Sequence, residues 1–404
     1  MEKGNKEAMK LKINLETRRK YAGKKRKQGI IISEIEAILT GEFDKPIVFF
    51  PALIDWSIPL FQRPQHIAIN FAREGVIYFF GTANVYDKVE CIEKIEANCY
   101  LVNMKEPGAE EAILQLLEKQ PNRVIIHLYS GDMIRGYDFV EDCLERGFDI
   151  LYEHADALSS SITGRPIPGS IIARHQRILS NTDCYAVATA DQLYEDILKK
   201  REPVRCALVT NGVDFDHFCI KATGEAHQEL LNIPKGKEPV IGYFGALADW
   251  FDYELMEKLA ATKRTWQIVL IGLDYDGSIK KSRLLRYVNV HYLGPLPYEQ
   301  LPSYAAMFDV SVIPFKINEV TTATSPIKLF EYLAVGKPIV TTAIPECLKY
   351  NIAFIARDHG HFIKSVEQAL AFKDDEVHKS LLREEARKHT WDKKAKSILD
   401  LLST

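Results

Sequence analysis

The stretch Ser325-Pro-Ile-Lys-Leu-Phe-Glu-Tyr-Leu-Ala-Val-Gly-Lys-Pro-Ile-Val340 holds a complete unit of structure: a loop end, a helix and the start of a strand. Pro326 suits the first turn of a helix, Gly336 suits its end, and the apolar residues after Pro338 read as a strand. Thr321, Thr322, Thr324 and Ser325 form a polar loop that leads into the helix. The unpaired N–H groups and positive dipole end of such a helix start favour a phosphate. Lys328 stands in the first turn, where a cation opposes the dipole by a few tenths of a kcal/mol up to about one. A bound diphosphate reverses that sign. Glu331 lies three residues on, on a neighbouring face, where a carboxylate can accept both hydroxyls of a ribose. Taken as residues alone, the pattern fits equally well an amphipathic helix with Leu329, Phe330 and Leu333 in a core and Lys328–Glu331 as a surface ion pair.

Outward from this unit the chain keeps alternating apolar runs with helical segments. The expected strands of this half are Val240–Phe244, Gln267–Ile271, Val288–Tyr292, Val310–Ile313 and Pro338–Thr341, with helices at Tyr253–Ala260, Tyr298–Ala305 and Lys328–Ala334. An earlier series reads the same way: Pro46-Ile-Val-Phe-Phe-Pro51, then Val76–Phe80, Cys99–Val102, Val124–Leu128, Asp149–Tyr152, Cys184–Ala188 and Ala207–Val209. Its helices include the stretch opening at Arg63-Pro-Gln, Ala109–Lys119 and Asp191–Lys200. Two such series predict an α/β fold of two Rossmann-like, doubly wound parallel-sheet domains facing a cleft, with ligands outside the carboxyl ends of the strands. The expected boundaries are a basic helical extension over 1–41, an N-terminal domain over 42–230 and a C-terminal domain over 231–380. A C-terminal helix over 381–404 is expected to pack back on the N-terminal domain. A length of 404 residues exceeds one ordinary core and agrees with two domains.

Residues 1–28 carry eleven Lys or Arg against three Glu, while the whole chain has a net charge of −3, so the remainder is acidic. A nucleic-acid-binding protein spreads positive charge over its folded part, and that class is set aside. The head instead suits electrostatic contact with an anionic membrane surface or an acidic partner. Seven scattered cysteines without a C-x-x-C pair point to a reducing cytoplasm and away from disulfides or a structural zinc. No apolar run reaches eighteen residues, which excludes a spanning helix. No strand is followed by G-x-G-x-x-G, which argues against a dinucleotide-dependent dehydrogenase. The expected location is cytoplasmic, at the inner face of the membrane.

The 325–340 stretch resembles the donor-binding signature of retaining GT-B glycosyltransferases of family 4, in which P-x-K-x-x-E-Y-L-A-x-G-K-P is common. Ile241–Asp252, Val269-Leu-Ile-Gly272, Leu293-Gly-Pro295 and Phe308–Lys316 resemble further segments of the family in the expected order, and Asn211-Gly-Val-Asp214 resembles the turn that precedes its interdomain linker. Arg63-Pro-Gln65 is similar to a subset that includes teichuronic acid biosynthesis proteins. The resemblance covers roughly residues 45–375.

The resemblance implies a sugar transferred from a UDP-, GDP- or dTDP-sugar to a glycan or lipid-linked acceptor, with no cofactor and no metal. It implies Glu331 on the ribose, and Lys328 with the backbone of Ser325, Pro326 and Ile327 on the diphosphate. Gly245, Lys316 and Thr324 complete the donor side. The catalytic candidates are Glu153, His154 and Asp156 at one strand end and His127, with Tyr129 beside it, at another. Arg63, Gln65 and His66 are the acceptor-side candidates. Two departures stand out. Ala323 replaces an acid often found eight residues before the ribose-binding Glu, and Ala246–Asp249 lacks the bases common after the first C-terminal strand. They leave room for two other readings, a nucleotide-sugar epimerase or a non-catalytic module of an assembly complex.

Overall fold

The computed structural model describes residues 26–51, 54–58, 61–219 and 238–404; most of the basic head and the 231–237 part of the linker lie outside them. A helix over 26–39 (α1) opens the described chain. Then follow β1 (Ile47–Phe50), α2 (Arg63–Arg73), β2 (Ile77–Thr82), β3 (Ile92–Glu96), β4 (Cys99–Asn103) and α3 (Ala109–Leu117). Next are β5 (Val124–Tyr129), α4 (Tyr137–Glu145), β6 (Asp149–His154), α5 (Ser160–Thr163), α6 (Gly169–Ser180), β7 (Tyr185–Ala188), α7 (Asp191–Leu198), β8 (Cys206–Leu208) and α8 (Phe215–Phe218). The second half holds β9 (Val240–Phe244), α9 (Tyr253–Thr262), β10 (Gln267–Ile271), α10 (Ser278–Lys281), β11 (Val290–Gly294), α11 (Leu301–Ala305), β12 (Val310–Ile313) and α12 (Glu319–Thr322). It ends with α13 (Ile327–Val335), β13 (Ile339–Thr342), β14 (Phe354–Ala356), α14 (His359–Leu370), α15 (Glu376–Lys388) and α16 (Trp391–Leu402).

The strands build two sheets, one of eight strands ordered β3-β4-β2-β1-β5-β6-β7-β8 and one of six ordered β11-β10-β9-β12-β13-β14. Every pairing in the six-stranded sheet is parallel. In the other, β1 pairs parallel with β2 and β5, β2 with β4, and β7 with β8, while β3 runs antiparallel to β4. Strands such as β2, β10 and β12 are buried along their whole length, as sheets covered on both faces require. The two-sheet, Rossmann-like α/β architecture therefore stands as the sequence predicts. Most strand limits fall within two residues of expectation. The polar edge strand β3 has no clear apolar pattern, and β14 is a three-residue piece of a short apolar run; the sequence reading names neither.

Chain contacts divide the protein into two compact units. The first holds the described residues of Met1–Ile58 with Ala68–Leu128 and Asp138–Leu151. In it, Ile31, Ile35 and Leu39 of α1 are buried at helical spacing, and β1 and β5 form the point where strand order reverses. The second unit holds Pro59–Ile67, Tyr129–Tyr137 and Tyr152–Thr404. There α15 packs on α13, and α16 on β7 and β8. The C-terminal stretch is two helices, because the backbone between them is extended and pairs with Val213: Val213 N–H donates to His389 O (3.0 Å) and Trp391 N–H to Val213 O (3.1 Å). Asp252, Asn318, Asp358 and Asp375 cap the helices that follow them, each accepting a backbone N–H.

The order of the six-stranded sheet reverses between β9 and β12, so the loops leaving these two strands diverge at a switch point. Gly242 in β9 makes room for the ring of Phe308: a Cβ there would stand 2.1 Å from Phe308 Cγ. Gly242→Ala is expected to lower stability by roughly 1–3 kcal/mol through overpacking. A chemical-denaturation midpoint checks this, and adding Phe308→Leu should recover part of the loss.

Candidate functional site

The loop from β12 to α13 is built by its own hydroxyls. Asn318 caps α12 by accepting from the N–H groups of Val320 and Thr321, while Thr321 Oγ1 donates to Lys316 O and Thr324 Oγ1 to Val320 O (2.7 Å). The threonines therefore shape the loop from within. At the start of α13, Pro326 holds the cap position with φ −70° and ψ 113°, and no side chain caps the helix. The first turn of α13 lies at a cleft lined by Thr324, Ser325, Pro326, Ile327 and Lys328. An uncapped helix start at a cleft is an anion site in physical terms.

Glu331 is 2 % exposed, which rules out the surface-ion-pair reading of α13. Its Oε2 accepts no hydrogen bond among the described residues, and Lys328 Nζ stands 3.7 Å away, beyond hydrogen-bond length. Burial raises the Glu331 carboxyl above its ordinary value, and the Lys328 ammonium opposes the rise. Glu331, Gly245 and Lys328 line a smaller recess with Phe61, Phe244 and Tyr298. Gly245 lets the lysine in: with φ 146°, a Cβ there would meet Lys328 Cε at 2.8 Å, and one on Gly272 would strike Gly245 O at 1.8 Å. Tyr332 ties α13 to this strand end, its hydroxyl accepting the Phe244 N–H at 2.9 Å.

Arg63, Tyr129 and Asp156 also line the cleft. The buried Arg63 guanidinium donates to Glu153 Oε1 from Nε (3.0 Å) and Nη2 (2.8 Å), and from Nη1 to Thr210 O (3.2 Å) and Asn211 Oδ1 (3.3 Å). Asn211 in turn donates to Ser325 O (2.7 Å) and, through its N–H, to Ser325 Oγ (3.2 Å). Burial raises the Asp156 carboxyl above its ordinary value, against the pull of its Tyr129 hydrogen bond and of Arg63. Burial raises the Tyr129 hydroxyl well above its own, helped by the charges of Asp156 and Glu153.

Other candidates take other places. Side chains alternate along β6, so Glu153 faces Arg63 while Tyr152 and His154 face α6. His154 packs its ring 4.5 Å from His175, and burial, then that neighbour, lower it from 6.5 to about 3. It stays neutral at physiological pH and does not line the cleft. His127 is fully buried in the first unit, its Nδ1 2.7 Å from the Tyr78 hydroxyl and its ring 5.0 Å from Phe50. His66 stacks on Trp391 (4.7 Å, 12°), and Gln65 accepts the Gln62 N–H at 3.3 Å. Lys316 pairs with Asp249 at 3.0 Å along a separate groove.

Sequence reasoning did not single out Trp250 and Tyr275, which line the cleft, or the Asn211–Ser325 tie. Two aromatics just beyond the ends of β9 and β10 are a readable signal; a hydrogen bond across 114 positions is not. Among the described residues no group of three or more His, Cys, Asp or Glu side chains is placed to hold a metal ion, and no helix is long and apolar enough to cross a membrane.

Residues 238–371 match the family described as Glycosyl transferases group 1. The chain is 30% identical over 260 residues to the putative teichuronic acid biosynthesis glycosyltransferase TuaH of Bacillus subtilis (strain 168), a match spanning 60% of this chain and 64% of that protein, under two thirds of its length. Among solved structures, sucrose-phosphate synthase from Thermosynechococcus elongatus has a TM-score of 0.68 at 15% identity, over 89% of this chain and 98% of that one. Anabaena HepE in complex with UDP-glucose has a TM-score of 0.65 at 13% identity, over 89% and 99%. These likenesses show the fold, which is that of the GT-B glycosyltransferases.

The raised Glu331 carboxyl carries a pH signature. Its proton is held more tightly in the folded than in the unfolded chain, so the folded state is favoured below about 4.5 and loses that advantage as pH rises through the folded value. Without ligand, Glu331→Gln should therefore melt above the wild type at pH 7, the gap narrowing as pH falls toward 4.5. Thermal melts of the two proteins across pH 4–8 check this.

Proposed function

We propose that this chain is a glycosyltransferase that moves a sugar from a UDP-, GDP- or dTDP-sugar to a glycan or lipid-linked acceptor, with retention, in bacterial surface-polysaccharide assembly. The observation that carries the reading is the buried Glu331 Oε2, without a hydrogen bond, one turn from an uncapped helix start and 3.7 Å from Lys328. A buried carboxylate oxygen without a donor is costly unless a ligand supplies one, and ribose hydroxyls do so. The group 1 match over 238–371 and the likeness to TuaH support the same reading.

In this reading Glu331 accepts the ribose hydroxyls in the recess behind Gly245. Lys328 and the N–H groups of the first turn of α13 hold the diphosphate. The acceptor hydroxyl oxygen bonds to the anomeric carbon as that carbon's bond to the diphosphate oxygen breaks; the nucleoside diphosphate departs and takes up the acceptor's proton. The protein contributes position and a fixed field where negative charge grows. Asp156, with Tyr129 and Arg63, contacts the acceptor. Residues 42–230 serve the acceptor side and 231–380 the donor side.

Glu331→Ala should weaken nucleotide binding by about 1.5–3 kcal/mol, the value of hydrogen bonds to a charged group. Lys328→Ala should weaken nucleoside diphosphate binding far more than nucleoside binding. Calorimetry with both ligands checks the pair, and unchanged affinity in Glu331→Ala removes the donor-site assignment. Nucleotide release should require an acceptor; conversion of the donor alone into an epimer would contradict transfer.

We also propose a cytoplasmic enzyme held at the membrane's inner face by residues 1–28, of which 1–25 lie outside the described residues. Each Lys or Arg near an anionic surface contributes about 1 kcal/mol and is screened by salt. Co-sedimentation with phosphatidylserine-containing liposomes should fall with salt and vanish on deleting residues 1–28. Equal sedimentation of full-length and truncated protein refutes the anchor.

A further inference from the structure

The cleft lining divides by chemistry. Arg63, Asp156 and Lys328 are ionisable, whereas Tyr129, Tyr243, Trp250, Tyr275 and Phe315 are aromatic. Trp250 and Tyr275 lie 5.7 Å apart, tilted by 45°, on the loops that leave β9 and β10. Tyr275 is 49 % exposed and lines the cleft, so its ring is open to a ligand there. These loops are fixed by their backbones: Leu247 N–H donates to Leu273 O (2.9 Å), Tyr275 N–H to Leu247 O (2.9 Å) and Lys316 N–H to Trp250 O (2.8 Å). Asp249 N–H donates to Asp276 Oδ2 (2.9 Å), and the Tyr275 hydroxyl donates to Ile162 O (3.3 Å). The segment Gly245–Asp252 holds no Lys or Arg, so nothing basic shares this wall on its own loop.

We infer that Trp250 and Tyr275 form a stacking platform for a pyranose ring, which makes them specificity-determining residues for the transferred or accepting sugar. A pyranose has a face of C–H groups and an edge of hydroxyls. Aromatic rings meet the first through dispersion and their negative faces, and the Arg63, Asp156 and Lys328 side chains meet the second. Because the loops are already held, little ordering is needed on binding. The inference rests on reading this cleft as a glycosyl-transfer site.

Calorimetry on the full chain, wild type and the Trp250→Ala, Trp250→Phe and Tyr275→Ala variants, tests it. The ligands are UDP, GDP and dTDP; UDP-glucose, UDP-galactose, GDP-mannose and dTDP-glucose; and methyl glycosides of the same sugars, added both alone and at saturating nucleoside diphosphate. Trp250→Ala and Tyr275→Ala should bind nucleoside diphosphates like the wild type yet lose roughly three- to ten-fold in affinity for a sugar-bearing ligand, with Trp250→Phe recovering most of it. Loss confined to nucleotide-sugars assigns the platform to the donor sugar, and loss confined to glycosides assigns it to the acceptor. Unchanged sugar affinity in both alanine variants overturns the inference and leaves the nucleotide site standing. An equal loss for nucleoside diphosphates also overturns it, since the rings would then serve the base or the fold. Platform-dependent glycoside binding by a wild type that binds no nucleotide would uphold the platform and sink the donor reading.

Discussion

The buried pair of Arg63 and Glu153 is the constraint on which the site depends. The two side chains are 2 % and 0 % exposed, and two nitrogens of the guanidinium fork reach one carboxylate oxygen. Taking both charges out of water is expensive, and removing one partner of such a pair typically costs about 3–5 kcal/mol, because the other charge is left buried. The remaining guanidinium nitrogen holds Thr210 and Asn211, and Asn211 holds Ser325. One buried cation thus links the start of α2, the end of β6 and the loop that delivers α13. The Arg63-Pro-Gln motif has a structural task before any catalytic one.

At the other end of that chain of contacts the site is left unfinished. The start of α13 has no cap, Lys328 stands where the helix dipole disfavours it, and Glu331 is buried without a hydrogen bond to Oε2. Each is unfavourable alone, and in the function proposed above a nucleoside diphosphate would relieve all three: phosphate for the N–H groups and the ammonium, ribose hydroxyls for the carboxylate. The elements around these groups are tied to one another. Tyr332 locks α13 to the end of β9, and Gly245 and Gly272 let the strand ends approach closely.

The departures at Ala323 and Ala246–Asp249 take on meaning in this setting. Ala323 is buried at the end of α12, while the 246–250 stretch carries Asp249 in an exposed ion pair with Lys316 and Trp250 in the cleft. The cation at Lys316 is thereby engaged away from the helix start. Lys328 then carries the charge on this side, with aromatic surface in place of further bases.

The amino-acid sequence by itself determined the two α/β sheets, nearly all their strands and the 325–340 unit. The reason is local: fully buried parallel strands read as continuous apolar runs, and helix starts and ends have their own residues. Lys328 and Glu331 were legible as a pair for the same reason, three positions apart on one helix. Only the tertiary structure decided that Glu331 is buried and not half of a surface pair, because burial depends on what packs over α13. It also decided that Glu153 faces Arg63 while His154 turns to His175, since the sides of a strand follow from register with distant elements. Asn211 reaches Ser325 across 114 positions, a contact that leaves no periodic trace in the chain, while Trp250 and Tyr275, legible as aromatics after two strands, meet only in the folded loops.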